Sequence, residues 1–350
     1  MEKTIIKRAL SGILCVAFIG TAFASCGKGK IDQVSTEPTS VPTTESAVKN
    51  INPLTGLDDL SSSAVNKRPV AVMVENSPSA RPQWGLCSPD IVVEGVVEGG
   101  ITRMMWLFSD VSKAPKIGPT RSARHDYVEV AEGLDAIYVH FGGSNLAYDK
   151  IKADKVDDID GMVLGNYFAR DKSRNVSSEH TAYTTGENIV KAIDSKKYRT
   201  EVKETYKAPF KFSPELKVLT GGTCNQITAE FSNNYKHTFK YNAEDKLYYN
   251  YMNTAEMKDA NGKTMAVSNV VILYTNVKSV GDSAGHMDWD LKGGKGYYAS
   301  NGKFEKITWS KGGASERLVI MASDGNELQF NTGKMWIGFV PDLNTTPGIG

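Results

Sequence analysis

The sequence predicts an α/β or α+β N-terminal domain, a mixed sheet covered by helices, followed by an antiparallel β-rich C-terminal domain. Two observations carry this. Apolar β-branched runs alternate with helix-like stretches from Arg68 to about Ser195, and short aromatic or β-branched runs separated by Gly, Asn and Asp fill the chain beyond Pro209. A third observation, an apolar N-terminal run followed by a Ser/Thr/Pro-rich stretch, predicts that this body is exported and tethered.

Lys3, Lys7 and Arg8 precede an uncharged apolar run from Ala9 to Ala24, too short to favour a spanning helix, so residues 1–25 read as an export signal. The stretch "FASC", Phe23 to Cys26, resembles a bacterial lipobox in which Cys26 is lipidated and becomes the new N-terminus, with Phe23 where Leu is usual. Ala22-Phe23-Ala24 also fits an A-x-A site cut without lipidation. The segment after the cysteine favours lipidation: residues 27–50 lack aromatics and cannot bury enough surface to fold. As a flexible tether they would reach roughly 25–30 Å, and a tether has a use only with an anchor.

The sequence thus divides into a signal (1–25), a lipidated Cys26 with its linker (26–50), an α/β domain (51–205) and a β-rich domain (206–350). The formal charge is +1, and loss of the signal removes three basic residues and one acidic residue, leaving −1. That balance offers no electrostatic footprint for nucleic acid. With Cys15 in the signal and Cys26 at the anchor, Cys87 and Cys224 remain. Export permits a disulfide between them, but two buried free thiols are the simpler expectation.

Within the first domain, "PVAVMVEN" (69–76) reads as a strand. "SPDIVVEGVVEGG" (88–100) reads as a helix with Ser88 as N-cap and Pro89 at its first position, and "ITRMMWLFS" (101–109) as a strand again. Ser122 is placed to cap a helix through about Leu134, "DAIYVHF" (135–141) is strand-like, "SNLAYDKIKA" (144–153) starts a helix after two glycines, and "TTGENIVKAIDSKK" (184–197) has amphipathic helix spacing. In the second domain "ITAEFS", "HTFKYN", "KLYYNYM", "NVVILYT", "GYYAS", "FEKITWS", "RLVIM", "NELQF" and "MWIGFV" are the expected strands.

In an open α/β sheet the carboxyl ends of strands and the N-termini of the following helices share one edge, where ligands usually sit. That puts Glu75 and Asn76, the "TRSAR" turn and "HFGGS" (140–144) on a common rim. Free amides at Ser122 and Ser144 would attract an anion there, Gly142 and Gly143 would allow close approach, and Arg121 and Arg124 would grip a phosphate or carboxylate. In the opposing reading Arg124 pairs with a nearby acid and the glycines only turn the chain.

Glu94 and Glu98 would share a helix face about 6 Å apart, where repulsion could raise one pKa for acid/base work. Exposed glutamates on a helix are equally ordinary. His140, before the glycine turn, is a possible base, though a lone strand histidine is more often satisfied by a backbone partner; His180 has no evident partner. His286, Asp288 and Asp290 alternate along "HMDWDL" as a metal cluster or a solvated strand face. "DDIDG" (157–161) fails as a calcium loop, and neither a Cys/His zinc spacing nor H-E-x-x-H is present, so no metal and no cofactor is expected.

Taken in order, "NPLTGL" (52–57), "RPVAVMVEN" (68–76), "RPQWGL" (81–86), "EGGITR" (98–103), "IGPTRSAR" (117–124), "HFGGS" (140–144), "FAR" (168–170) and "GKMWIGFVP" (333–341) resemble the YerB-like lipoproteins of Gram-positive bacteria, a family classed as a domain of unknown function. The chain departs from the family pattern at Thr120, where Val is usual, and at "SEHTAYT", where a Pro-His-Asn-like stretch is usual. The resemblance implies an exported, lipid-anchored protein of two domains, with no catalytic residues to carry over. It adds weight to Glu94, Glu98, Arg103, Arg121, Arg124, Gly142, Gly143 and Ser144. Arg103, near the start of its strand, suits a structural ion pair better.

Three functions remain. The first is a module bound to the membrane by its lipid anchor, recognising an anionic envelope polymer or small anion. The second is an envelope hydrolase or phosphotransferase using Glu94 and Glu98 with the Arg121/Arg124 clamp. The third is a purely structural interaction protein.

Overall fold

Continuous apolar runs give strands that have no solvent face, and these form the centre of the molecule. The computed structural model describes residues 49–342 and 346–350; the predicted signal, Cys26 and the linker through residue 48 lie outside the described residues. Strands β1 (Val70–Glu75), β2 (Ile91–Val96) and β3 (Thr102–Phe108) are buried at every position. So are Asn269–Thr275 and Met335–Pro341 from the other end of the chain.

They belong to one ten-stranded mixed sheet. Its order is Leu318–Ala322, Lys303–Lys311, Gly293–Ser300, Asn269–Thr275, Met335–Pro341, β2, β3, β1, Ile137–His140, Asp158–Asp160. The Met335–Pro341 strand runs parallel to both neighbours, Asn269–Thr275 and β2. Sheet continuity therefore crosses residue 205, and the described residues form one compact unit. The first segment supplies a mixed sheet with few helices and the second mostly antiparallel strands.

Side-chain alternation sends the two faces into separate cores. Ala71, Met73, Val93, Met105, Leu107, Ile337 and Phe339 pack on one side with Tyr127, Val128 and Ala131 of helix α1 (His125–Glu132) and with Ala147 and Ile151 of helix α2 (Asn145–Asp154). Val72, Val74, Val92, Met104, Trp106 and Trp336 face the other way. They meet Ile189, Ala192 and Ile193 of helix α3 (Gly186–Lys196) and a second sheet built mainly from Gln226–Ser232, Tyr235–Asn242 and Leu247–Met252. Those outer strands alternate buried and accessible residues, as an antiparallel sheet with one wet face requires.

The helices have the expected stops. Ser144 caps α2 by accepting from the Ala147 amide at 3.2 Å, Thr185 caps α3 through Asn188, and the left-handed Lys155 and Lys197 close their C-termini.

Two expectations need correction. Residues 88–100 form no α-helix: Ile91–Val96 is a strand inside the sheet, and only Glu98–Gly100 makes a short 3-10 turn, with Gly99 and Gly100 at positive φ. A fully buried strand has no alternation, so its apolar run imitates a buried helix until its sheet partners are known. Ser122 is also not a helix cap. Arg124 occupies that position, and the Ser122 hydroxyl is directed at the Phe141 carbonyl. Both Cys87 and Cys224 are free, the second buried and the first partly so, and burial pushes both thiols above their ordinary pKa.

Candidate functional site

The rim is assembled from backbone first. The Glu75 amide donates to Pro119, the Arg121 amide to Met73, and the Phe141 amide to Arg121, while Ala123 bridges Gly143. The end of β1, the "TRSAR" turn and the "HFGGS" turn thereby lie side by side. Gly142 sits at φ +74°, a left-handed conformation that favours glycine.

Two amides on this rim already have protein acceptors. Gly142 N–H donates to Asp160 Oδ1 at 2.8 Å, and Ser144 N–H to the Ala123 carbonyl at 3.3 Å. Asp160 also receives the Met162 amide and the Tyr148 hydroxyl. A carboxylate of the chain itself thus fills the position expected for an external anion beside Gly142, with Gly143 packed against Ala123 and Tyr148. His140, fully buried, is held by the Gly142 carbonyl at 2.8 Å and Asp158 at 3.1 Å, which makes it part of the turn's framework rather than a free base.

Glu98 gathers two arginines. Arg124 bonds both of its oxygens in a fork, and Arg103 reaches Oε1 at 3.0 Å while also donating to the Ser122 carbonyl. Burial raises the Glu98 carboxyl, but the Arg124 hydrogen bonds and the two positive charges outweigh it and hold the pKa at about 2. Arg124 is therefore committed to Glu98 in a structural role and is not free to grip an anion.

Glu94 is not on the rim. Its side chain points between the two sheets, fully buried, and accepts from Asn76 at 2.8 Å, Thr102 at 2.5 Å, His237 at 2.9 Å and Trp336 at 3.1 Å. With Glu94 sealed and Glu98 neutralised, the two share no face, and the acid/base pair expected for hydrolysis is not formed.

Arg121 differs from the other arginines. Its side chain is 23% exposed and donates to Glu179 Oε2 at 2.6 Å, on the exposed 3-10 turn Ser178–His180. Its Nε is buried, finds no hydrogen-bond partner, and lies 3.7 Å from Glu75 Oε1. Glu75, almost wholly buried, accepts from His180 Nδ1 at 2.9 Å and from Ser77 at 2.8 Å. The partner that the sequence did not reveal for His180 is thus Glu75, 105 residues away. Only the placement of Glu75 at the carboxyl end of β1, on the same rim, hinted at it.

Of the two readings of His286, Asp288 and Asp290, the metal cluster does not form. His286 pairs with Asp282, Asp290 caps the Lys292 amide, and Asp288 instead meets His125 at 3.0 Å, with Asp126 nearby. Gly281-Asp-Ser-Ala-Gly285 has the G-x-S-x-G spacing, yet Ser283 sits on an exposed loop between strands Val277–Ser279 and Met287–Trp289, with no strand-to-helix turn to make it a nucleophile.

A continuous sheet framed by few helices, with its polar rim made by "IGPTRSAR" and "HFGGS", defines the class to which the chain belongs: the DUF3048 family, described as proteins of unknown function. The model of its N-terminal domain matches residues 54–199 and that of its C-terminal domain residues 227–337. Over 313 residues the chain is 33% identical to "Putative lipoprotein YerB" of Bacillus subtilis (strain 168), covering 87% of this chain and 90% of the relative. The crystal structure of the YerB protein from Bacillus subtilis superposes with a TM-score of 0.75 at 31% identity, covering 86% of this chain and all of that one.

Proposed function

We propose that the protein is an exported lipoprotein, anchored through Cys26 at the outer face of the cytoplasmic membrane, whose folded part binds a phosphate- or carboxylate-bearing component of the cell envelope at Arg121. The relative's name as a lipoprotein supports the anchor. Among the described residues no helix is long and apolar enough to cross a membrane.

One observation carries the binding reading. Of the three rim arginines, Arg103 and Arg124 are locked to a carboxylate held at a pKa of about 2, whereas Arg121 hydrogen-bonds an exposed carboxylate, Glu179, with its buried Nε 3.7 Å from Glu75 and not hydrogen-bonded. Exposed ion pairs contribute about 0–1 kcal/mol, so an incoming anion loses little by displacing Glu179. An anion taking the place of Glu179 would accept from the accessible Nη2 side of the guanidinium, because Nε is buried and turned to Glu75.

The test is a thermal-shift titration of the mature chain with Cys26→Ser, using inorganic phosphate, oligo(glycerol phosphate) and oligogalacturonate, repeated on Arg121→Ala. A rise in melting temperature that disappears with Arg121→Ala supports the reading. A rise that survives the substitution refutes the assignment to Arg121.

A further inference from the structure

We infer that the Glu179 carboxylate is an internal stand-in for the ligand, that the ligand is a carboxylate, and that His180 is the second residue to contact it. This rests on the proposed anion binding at Arg121 and specifies its chemistry.

Glu179 lies between two groups. Its Oε2 accepts from Arg121 Nη2 at 2.6 Å, and its Oε1 lies 3.7 Å from His180 Nε2. One carboxylate therefore bonds a guanidinium and stands beside an imidazole, whose Nε2 lies beyond hydrogen-bond range and can donate to it only when both ring nitrogens carry protons, since Nδ1–H is given to Glu75. The His180 ring is aimed by Glu75: Nδ1 faces both oxygens of that buried carboxylate at 2.9 Å, which turns Nε2 outward toward Glu179. Arg121, His180 and the turn's own carboxylate form a closed set, with Glu75 behind them.

Of the acids around the rim, Glu179 is the one able to leave. Glu75 is buried and holds Ser77 and His180, while Glu98 bonds two arginines. The Glu179 side chain is 53% exposed, stands on a three-residue turn, and besides Arg121 is supported by the Ser177 hydroxyl at 3.2 Å. The Arg121 hydrogen bond and charge hold its pKa below the usual carboxylate range, so near neutrality it stays ionised and competes with an external carboxylate.

The experiment measures oligogalacturonate and inorganic phosphate affinity by calorimetry on the mature Cys26→Ser chain, on Glu179→Gln and on His180→Gln, with melting temperatures recorded to confirm folding. Removing the competitor is expected to raise oligogalacturonate affinity about two- to fivefold, the strength of one exposed ion pair. His180→Gln is expected to lower it by about as much. Unchanged or weaker binding by Glu179→Gln overturns the stand-in and leaves the anion site intact. An equal gain for phosphate overturns the choice of carboxylate, and unchanged affinity in His180→Gln overturns its role. Absence of binding by both the parent chain and Glu179→Gln overturns the anion-binding reading together with this one.

Discussion

Glu94 and His237, 143 residues apart in sequence, meet at 2.9 Å in the fully buried layer between the two sheets. His237 Nδ1 is held in turn by Asn250 Oδ1 at 2.8 Å, and Trp336 donates to the other Glu94 oxygen. Burial raises the Glu94 carboxyl, but the charge of His237 and the donors around it reverse this and leave the pKa below its ordinary value. A buried ion is tolerable only when every lone pair is satisfied, and here one carboxylate ties β2 both to a second-sheet strand and to its neighbour Met335–Pro341 in the central sheet.

Removing one partner strands the other. Glu94→Ala is expected to cost about 3–5 kcal/mol in urea unfolding. In a double-mutant cycle with His237→Ala the two are expected to be coupled by about 1–3 kcal/mol. Additive single effects would show that the pair does not act as a unit.

The same strand is held sterically one residue further on. A Cβ at Gly95 would come within 2.1 Å of the Trp289 ring, which stacks on Phe339 and donates to the Val96 carbonyl. Gly95→Ala is expected to destabilise by about 1–3 kcal/mol and to alter tryptophan fluorescence, since the indole must move. A wild-type spectrum and melting temperature would contradict this packing.

Glu98 sets an acid limit. Its folded pKa of about 2 lies below its ordinary 4.5, so its contribution is complete above about 4.5 and is lost as pH falls toward about 2. Glu98→Gln leaves Arg103 and Arg124 without their anion and is expected to cost on the order of 2–3 kcal/mol at pH 7. The gap to wild type should close as pH falls through that window, measured by denaturant midpoints. A gap independent of pH would count against the ion pairs.

Asp126 has the opposite sign. Burial, offset in part by His125, lifts its carboxyl from 3.8 to about 7, so the folded state retains a proton that the unfolded chain has released. Its contribution to stability declines as pH rises from about 4 through about 7. Asp126→Asn, which can still accept from the Trp289 amide, is expected to stabilise the protein at pH 8 and to be near neutral at pH 4. Destabilisation at both pH values would oppose this account.

The anchor is testable separately. Cys26→Ser is expected to abolish metabolic incorporation of a palmitate analogue and to release the protein from membranes. Retained labelling would exclude Cys26 as the lipidated residue.

Much of the architecture was legible in residue order. The β-rich second half could be read because its outer strands alternate, as in "KLYYNYM", α2 because "SNLAYDKIKA" follows two glycines, and α3 because "TTGENIVKAIDSKK" has amphipathic spacing. The strand Ile91–Val96 was not legible, since burial on both faces erases the alternation that separates strand from helix. That single error placed Glu94 beside Glu98 on a helix that does not exist. At the rim, Arg121, Arg124 and the glycines could be selected, whereas the carboxylates that occupy their neighbours could not. Asp160, Glu98 and Glu179 reach them from other parts of the chain.

The sequence by itself determined the order of the segments, most of the strands and helices with Ile91–Val96 the exception, and the selection of the "TRSAR" and "HFGGS" turns as rim candidates, because these follow from local periodicity and turn residues. Only the tertiary structure decided that Glu94 is a buried tie between sheets, that Arg124 is committed to Glu98, and that Arg121 and His180 share Glu179. Charge pairing depends on distances between residues far apart in the chain, and one carboxylate at hydrogen-bond range changes an arginine from a free cation into a strut.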